Sequence, residues 1–449
     1  MAPILPKKRR PQMKTLPVLD DRATGIDVGS EKLHVSIAGD TPRVFGTMTQ
    51  DVSTLIDWLR DQGVRSVAME ATGVYWLYLY GALEAAGITV LVVNGRQVRN
   101  LPGRKTDMAD CQWLATLHAH GLLHSGFVPP AEIRQLQDYL RLRQDHITLA
   151  ASHVQHMQKA LERMNVKFHA VISDLTGVSG LKVIDAILAG RRDPADLLTL
   201  CDAQIRKHKG DRVKESLRGM WKDEHLFALR QALQSWQHYQ SQISECDRAI
   251  EQVLRALSGP PRDDDPASPA KPGGTHTPKI DGLHRMLLQL CGGNDPTQLP
   301  GLADYSLLLV IGEVGTDLSR WPTAKHFTAW TGLAPGSHQS GKRRSQQSRH
   351  RNRTGQLFCT MARSLANSVD KALGGFYHRL KARRGGLIAN KALARKLAAL
   401  FWQTMVKGSD YVEHGLRYYQ SRTAQSEQRV LRKLAQKHGL DLVPAKTMG

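Results

Sequence analysis

The amino-acid sequence predicts an α/β domain first, then a long helical arm, then a second, mainly helical domain. Three observations lead to this fold class. Short β-branched runs occur before residue 94, apolar heptads run between residues 133 and 257, and helical periodicity resumes after residue 281. At about 150 residues per domain, a chain of 449 residues has room for roughly three such parts.

The composition changes along the chain predict six segments. Proline, glycine and aspartate are concentrated in one stretch that offers little to bury, which is typical of a linker. We expect a basic N-terminal arm (1–20), the α/β domain (21–127), the helical coiled-coil region (128–257), the Pro/Gly-rich linker (258–280), the C-terminal domain (281–422) and a charged tail (423–449).

The α/β domain should contain a mixed sheet. The first three expected strands lie close together with short glycine-containing connections, which favours an antiparallel meander. Strands and helices then alternate, which favours parallel pairing with helices on the faces of the sheet. The expected strands are 23–28, 32–38, 44–49, 66–69 and 88–93, and the expected helices are 51–61, 74–86 and 106–120.

The helical arm should be a coiled coil. Apolar residues follow 3-4 spacing from Ile133 to Met164, interrupted only by Arg143, and again from Leu226 to Leu257 with one slip near Cys246. Such sustained heptads predict either a folded-back pair of helices or a seam between subunits. A helix buried in one globular core is the alternative, but the narrow apolar stripe and charged flanks disfavour it.

The charge balance points to a polyanionic partner. Lys and Arg number 62 against 41 Asp and Glu, a net charge of +21, which is typical of a nucleic-acid binder. The sequence has neither the apolar length for a membrane span nor an apolar signal-peptide core at its start. Its five scattered cysteines favour no disulfide framework and no zinc site. We therefore expect a cytoplasmic, nucleoid-associated protein.

Four acidic residues interrupt otherwise apolar elements of the α/β domain. Asp27 lies within a strand-like run, Glu70 ends another, and Asp107 and Asp110 lie three apart at the start of a helix. Singly, each has an ordinary role as a cap, a turn former or a strand end. Together they predict a site for Mg²⁺, a cation that takes oxygen ligands; two such ions can hold both oxygens of a phosphoryl transfer.

A cation-rich segment in the second domain is the best candidate for contact with nucleic acid. Guanidinium groups hold phosphates by paired hydrogen bonds. Ser340 lies beside Gly341 in this segment and is a candidate nucleophile, although Ser337, Ser345 and Ser348 share the loop. The candidate nucleic-acid-binding residues are Lys342, Arg343, Arg344, Arg349, Arg351 and Arg353, together with Arg104 and Lys105 of the first domain.

The glycines of the stretch 300–315 leave two interpretations open. A Gly-x-x-Gly hairpin between short helices can present backbone N–H groups to a phosphate. Alternatively, the glycines only permit the turn of a plain helical hairpin.

Several motifs together resemble one known family. The stretches GIDVGSEKLHVSIAG, AMEATGVYWLYLYGAL and NGRQVRNLPGRKTDMADCQWLA resemble the N-terminal domain of DEDD-type insertion-sequence transposases. The stretches LLVIGEVGTDLSRWPTAKHFTAWTGLAPGSHQSGK and GLIANKALARKLAALFWQTMVKG resemble the C-terminal transposase domain of the same family. The segment after Ser340 is richer in arginine than is usual there, and the linker lengthens the chain.

The resemblance implies an RNase H-like (RuvC-like) first domain in which Asp27, Glu70, Asp107 and Asp110 match the metal-binding tetrad. The serine of the family's S-G motif falls on Ser340, which would form a transient phosphoserine bond to DNA. The carboxylates completing that site would come from another subunit of a dimer or tetramer. A bridge RNA would pair with both target and donor DNA.

Two other functions remain open. A Holliday-junction-resolvase-like, metal-dependent nuclease would use water as the nucleophile and leave Ser340 inert. A non-catalytic nucleic-acid scaffold would carry the same carboxylates for structural reasons only. The absence of a complete GxxxxGK[ST] motif predicts that no ATP is used.

Overall fold

A computed structural model describes residues 16–71, 73–95, 107–260, 269–335, 338–340, 343–345, 350–365, 373–408, 425 and 428–440. For residues 107, 338–340 and 343–345 it describes the backbone alone. The chain divides into two compact units, residues 1–128 and 129–449.

The first unit is built on a five-stranded mixed sheet of order β3-β2-β1-β4-β5. Its strands are β1 (Thr24–Val28), β2 (Lys32–Ile37), β3 (Arg43–Gly46), β4 (Ser66–Glu70) and β5 (Thr89–Val93). The pairs β1–β2 and β2–β3 are antiparallel, whereas β1–β4 and β4–β5 are parallel. The predicted mixed sheet is therefore confirmed.

Helices cover both faces of this sheet. Helices α1 (Thr49–Asp61) and α2 (Trp76–Ala85) pack on the face that carries Ile26 and Met69. Helix α3 (Asp107–Ala119) packs on the opposite face, where Leu114 meets Ala68. The third strand ends three residues earlier than predicted, because the Asp51 carboxylate accepts a 3.1 Å hydrogen bond from the Met48 N–H and starts α1 there.

Two long antiparallel helices organise the start of the second unit. They are α4 (Ala131–Arg163) and α9 (Asp223–Ser258). The order of their contacts fixes the direction, since Arg143 meets Asp247 while His153 stacks on Tyr239. The chain thus adopts a folded-back pair, one of the two predicted arrangements; the coiled-coil geometry itself stays a prediction.

Short helices fill the region between α4 and α9, where the sequence shows little periodicity. They are α5 (Phe168–Val171), α6 (Val178–Leu188), α7 (Pro194–Thr199) and α8 (Ala203–Ser216). Their apolar side chains, with Phe168 and Ile184 fully buried, form one core with Leu161 of α4 and Leu229 of α9.

The remainder of the second unit is also mainly helical. Three buried aromatic rings hold its centre together, with Phe327, Phe358 and Phe401 at centroid separations of 5.8–6.3 Å. Its elements are α10 (Leu283–Leu290), α11 (Asp304–Val314), α12 (Ala324–Trp330), β6 (His338–Ser340), β7 (Arg343–Ser345), α13 (Arg353–Leu365), α14 (Leu373–Arg384) and α15 (Gly386–Lys407).

Part of the predicted linker is packed rather than free. The Lys271 ammonium donates to the carbonyl oxygens of Leu299 and Leu302 at 3.0 and 3.1 Å, and the Lys279 N–H donates to Asp247 at 3.2 Å. Residues 269–280 are therefore fixed to the second unit by polar contacts that composition does not reveal. Among the helices of the described ranges, none has the length and apolarity needed to cross a bilayer.

Candidate metal site and serine hairpin

Asp27 and Glu70 lie on neighbouring parallel strands. In the register of β1 and β4, Gly25 is opposite Ala68 and Ile26 is opposite Met69, so the next step along both strands brings Asp27 beside Glu70. Side chains alternate between the two faces of a sheet. Asp27 and Glu70 therefore share the face of Gly25 and Ala68, the face on which α3 packs.

Helix α3 approaches this face closely because β1 has no side chain at Gly25. A Cβ atom there would lie 2.2 Å from the carbonyl oxygen of Cys111 and 2.4 Å from the backbone nitrogen of Ala115. Gly25 is therefore required for the close approach of α3, and α3 in turn carries Asp110 toward the sheet.

The pKa of Cys111 indicates that two of the carboxylates lie near its thiol. Burial, together with the negative charges of Asp27 and Asp110, raises the pKa of the Cys111 thiol to about 11. Asp27 on the strand and Asp110 on the helix thus act on the same thiol from two elements. Asp27, Glu70 and Asp110 are each half-buried.

Gly95 fixes the position of the Glu70 carboxylate. Glu70 pairs with Val93 at the end of β5, and the chain then passes under the Glu70 side chain at Gly95. A Cβ atom at Gly95 would lie 1.9 Å from Glu70 Oε1, so any larger residue would displace the carboxylate.

The donors on this face suit Mg²⁺ chemically, because all are carboxylate oxygens. The side chains that the structure describes do not themselves form a group of three or more ligands around one point. Asp107 begins α3 on the same side of the sheet, but its side chain lies outside the described residues, as do Arg104 and Lys105.

Ser340 lies at the closed end of a two-stranded hairpin. Strands β6 and β7 pair antiparallel, with His338 opposite Ser345, Gln339 opposite Arg344 and Ser340 opposite Arg343. The predicted nucleophile and a predicted phosphate-binding arginine therefore occupy one register position. Gly341, Lys342 and Arg349 lie outside the described residues.

The two ends of this segment meet at its base. Gly332 has a φ of +73°, and a Cβ atom there would lie 2.2 Å from the His350 carbonyl oxygen. Asn352 then anchors the start of α13: its side-chain amide donates to the Trp330 carbonyl, and its side-chain oxygen accepts from the Gly355 N–H.

Two of the predicted phosphate-binding arginines have protein partners. Arg353 lies 3.1 Å from the Glu313 carboxylate, and Arg351 donates to the Cys359 sulfur at 3.2 Å. Glu313 also accepts two hydrogen bonds from Arg141 and one from Gln137 of α4, so it joins α11, α4 and α13. Both arginines thus have a structural role beside any contact with nucleic acid.

The glycines of 300–315 do not form a phosphate-binding hairpin. Gly312 lies within α11, and a Cβ atom there would lie 2.6 Å from Leu140 Cδ1 of α4, so the glycine serves helix packing. Gly315 ends the helix with a φ of +71°. The plain helical alternative is the one the chain adopts.

The sequence alone does not point to Gly25, Gly95 or Glu313 as residues of the candidate site. Gly25 lies inside a strand-like run, where a glycine is a local signal of a close approach. Gly95 follows the last strand, between Asn94 and Arg96, and carries no such signal. Glu313 looks like an exposed helix acid until its partners on α4 and α13 are known.

Comparison with known families matches both units. A model described as "Transposase" (DEDD_Tnp_IS110) matches residues 24–166, and one described as "Transposase IS116/IS110/IS902 family" matches residues 297–378. The first match covers the sheet and α3, and the second covers the serine hairpin. No curated protein matches the chain.

Proposed function

We infer that this chain, a DNA transposase of an insertion sequence by its two IS110-family domains, exchanges strands with metal-binding carboxylates and a serine nucleophile. The observation that carries the proposal is the shared face of β1 and β4. Asp27 and Glu70 are neighbours on that face, and helix α3, which carries Asp110, packs against it.

Asp27, Glu70, Asp107 and Asp110 would hold a pair of Mg²⁺ ions, which take such oxygen donors. A bound Mg²⁺ supplies charge neutralisation at the phosphate oxygens during transfer. Gly25 and Gly95 position the carboxylates, the first by admitting α3 and the second by seating Glu70.

Ser340 would attack the scissile phosphate. Its hydroxyl oxygen bonds to phosphorus, the bond from phosphorus to the leaving deoxyribose oxygen breaks, and that oxygen takes the proton. A DNA hydroxyl from the second duplex then reverses the step on the phosphoserine. The number of phosphodiester-type bonds is unchanged, so no ATP is required.

Guidance and assembly belong to the same proposal. Two duplexes cut and rejoined together need at least two active sites, which a dimer or tetramer provides. A bridge RNA would select target and donor DNA by base pairing. The net charge of +21 supports binding of several nucleic-acid strands at once.

A metal-dependent nuclease with water as nucleophile is the second candidate. The observation that favours it is that the carboxylates belong to the first unit, whereas Ser340 belongs to the second. A hydrolytic reaction would need only the carboxylates of the first unit and not Ser340.

The decisive experiment traps a covalent adduct. The purified protein is incubated with Mg²⁺ and labelled DNA carrying the element's ends, then denatured and resolved by gel. Ser340→Ala should abolish both the protein–DNA adduct and strand transfer, whereas Ser345→Ala on the facing strand should retain both. Cleavage by Ser340→Ala at the wild-type rate would establish the nuclease instead.

The carboxylates are tested by the same assay. Asp27→Asn, Glu70→Gln and Asp110→Asn should each lower the rate by about 100-fold or more, whereas Asp57→Asn on the exposed face of α1 should not. Full activity of the first three variants would show that the carboxylates take no part in the reaction. Sequencing the RNA that co-purifies with the protein tests guidance, and random fragments would argue against it.

A further inference from the structure

The hairpin of α14 and α15 presents exposed aliphatic side chains at its tip. Leu387 is 90 % exposed, the highest value for a large apolar side chain in the described ranges, and the adjacent Ile388 is 53 % exposed. Apolar side chains that stand together in water at a turn mark a contact surface more often than a structural need.

The tip is rigidly supported. Gly385 turns the chain with a φ of +83°, and α15 then buries Ala389, Leu393 and Phe401 in the core of the unit. The Asn390 side chain donates a 3.1 Å hydrogen bond to the Cys359 carbonyl, less than one turn from Leu387. Leu387 and Ile388 are therefore held outward by a fixed helix.

The charge around the tip has one sign. Neither α14 nor α15 contains an aspartate or glutamate. Four cations of α14 precede the turn and are all exposed: Arg379, Lys381, Arg383 and Arg384. Lys381 also lies 5.9 Å from the Tyr377 ring, which keeps its ammonium beside α14.

We propose that Leu387 and Ile388 form an apolar wedge that inserts between two base pairs of duplex DNA from the minor groove, while the surrounding cations hold the phosphates. Aliphatic wedges between basic side chains open base steps and kink a duplex in this way. The proposal rests on the transposase function and adds to it an element that deforms DNA. The hairpin that carries this element lies largely beyond residue 378, where the second family match ends.

A base step fits the tip better than a membrane does. An interfacial helix needs a whole apolar face, but the apolar face of α15 is already used in the core, and its first turn offers only Leu387 and Ile388. One or two side chains are what a base step accommodates. The cations also complement the backbone of a nucleic acid on both sides of the step.

The test uses the full-length protein and duplexes of about 30 base pairs, each with one flexible TA step flanked by 2-aminopurine. Unstacking raises 2-aminopurine fluorescence, and end-labelled duplexes report the kink by energy transfer. Wild-type protein should increase both signals. The double variant Leu387→Ala/Ile388→Ala should lose both signals while its Kd changes by no more than about threefold, because unstacking offsets most of the gain from insertion.

Two further variants separate the roles. Arg383→Gln/Arg384→Gln should lower the slope of log K against log salt by about 2, since each phosphate contact contributes about 0.9. Val178→Ala is the matched control, because Val178 is 74 % exposed but lies on α6; it should change neither signal nor slope.

Three results for the Leu387→Ala/Ile388→Ala variant would overturn the proposal. Wild-type fluorescence and energy-transfer signals would show that the tip is inert. Loss of binding to anionic lipid vesicles, with both DNA signals unchanged, would assign the tip to a membrane, and a changed oligomeric state by light scattering would assign it to a second copy of the chain. Because none of these readouts requires strand transfer, they are independent of the Ser340 and Asp27 experiments.

Discussion

At the scale of single residues, the site depends on an absent side chain. Gly95 leaves just enough room for Glu70 Oε1, which a Cβ atom would approach to 1.9 Å. The Glu70 carboxylate is the movable end of its side chain, so the collision moves the functional group rather than the backbone.

Gly95→Ala should therefore lower strand-transfer activity by about 100-fold, a cost typical of misplacing a reacting group by about 1 Å. The free energy of unfolding should change by less than about 1 kcal/mol. Gly81→Ala, at a helical position with open space around it, is the control and should keep full activity. Equal loss of stability and activity in Gly95→Ala would contradict the positioning role.

A second residue, His118, makes the folding stability of the first unit depend on pH. Burial lowers the pKa of His118 below its ordinary value of 6.5, with the nearby Asp20 opposing the shift, and the imidazole lies 2.8 Å from Ser66 Oγ. Below pH 6.5 the unfolded chain takes up a proton on this residue that the folded chain resists. Folding stability from this group is therefore present above pH 6.5 and lost as the pH falls through and below it.

His118→Gln should remove part of this acid sensitivity. Thermal unfolding is followed between pH 8 and pH 5, the range in which an ordinary histidine titrates. As the pH is lowered, the Tm of the variant should fall less than that of the wild type. His124→Gln, at an exposed histidine, should keep the wild-type pH profile. An unchanged profile for His118→Gln would place the acid-sensitive group elsewhere.

At the scale of elements, the antiparallel pair of α4 and α9 contains a buried ion pair. Arg143 is 2 % exposed, and its Nε lies 2.5 Å from Asp247 Oδ1. The residue that interrupts the heptads thus forms a polar link between the two helices. Tyr305 of α11 accepts a second hydrogen bond from it at 3.1 Å.

Arg143→Ala should lower the free energy of unfolding by about 3–5 kcal/mol, because Asp247 would remain buried without its counter-charge. Denaturant unfolding measures the loss. The exposed pair on α9 is the control: Arg255→Ala removes the partner of Glu251 and should cost less than about 1 kcal/mol. A similar cost for both variants would show that burial of the pair is unimportant.

The same elements show what the sequence can predict. All five strands and the helices α1 to α3 follow from local alternation and turn residues, and the two long helices follow from their heptads. A heptad seam does not specify whether its partner helix belongs to the same chain or to another subunit. The roles of Gly25 and Gly95 are not visible in the sequence, because they arise only when β1 meets α3 and when the chain after β5 brings residue 95 to Glu70.

In the candidate site, too, the residue types can be predicted from the sequence, whereas the tertiary contacts cannot. The unusual place of Asp27 and Glu70 in apolar strands predicts a role for both, and the register of β1 and β4 brings those positions together. The sequence also predicts the arginines as one phosphate-binding set. The pairing of Arg353 with Glu313, 40 residues earlier, is a tertiary contact that residue type alone does not specify.

At the scale of the whole molecule, the division into two units separates the carboxylates from the serine. The first unit has its own core, with Ile26, Leu55 and Leu83 fully buried. A fragment of residues 1–128 should therefore fold alone.

That fragment should unfold cooperatively and bind Mn²⁺, used as a spectroscopic substitute for Mg²⁺, but it should show no strand transfer. Circular dichroism and electron paramagnetic resonance provide the two measurements. The same fragment with Asp27→Asn and Asp110→Asn is the control and should fold without binding the metal. If the intact fragment folds but takes up no Mn²⁺, the carboxylates require the rest of the molecule.

The closure of the serine segment at Gly332 and His350 has a consequence for protein engineering. Since the chain enters and leaves the hairpin at one point, the residues between can differ in number and type while the surrounding helices keep their places. Exchanging 333–350 for the corresponding stretch of a related transposase should yield a folded chimera whose melting temperature matches the parent. Such grafts would make the hairpin a replaceable segment, in which the serine and its neighbouring cations can be varied on one scaffold.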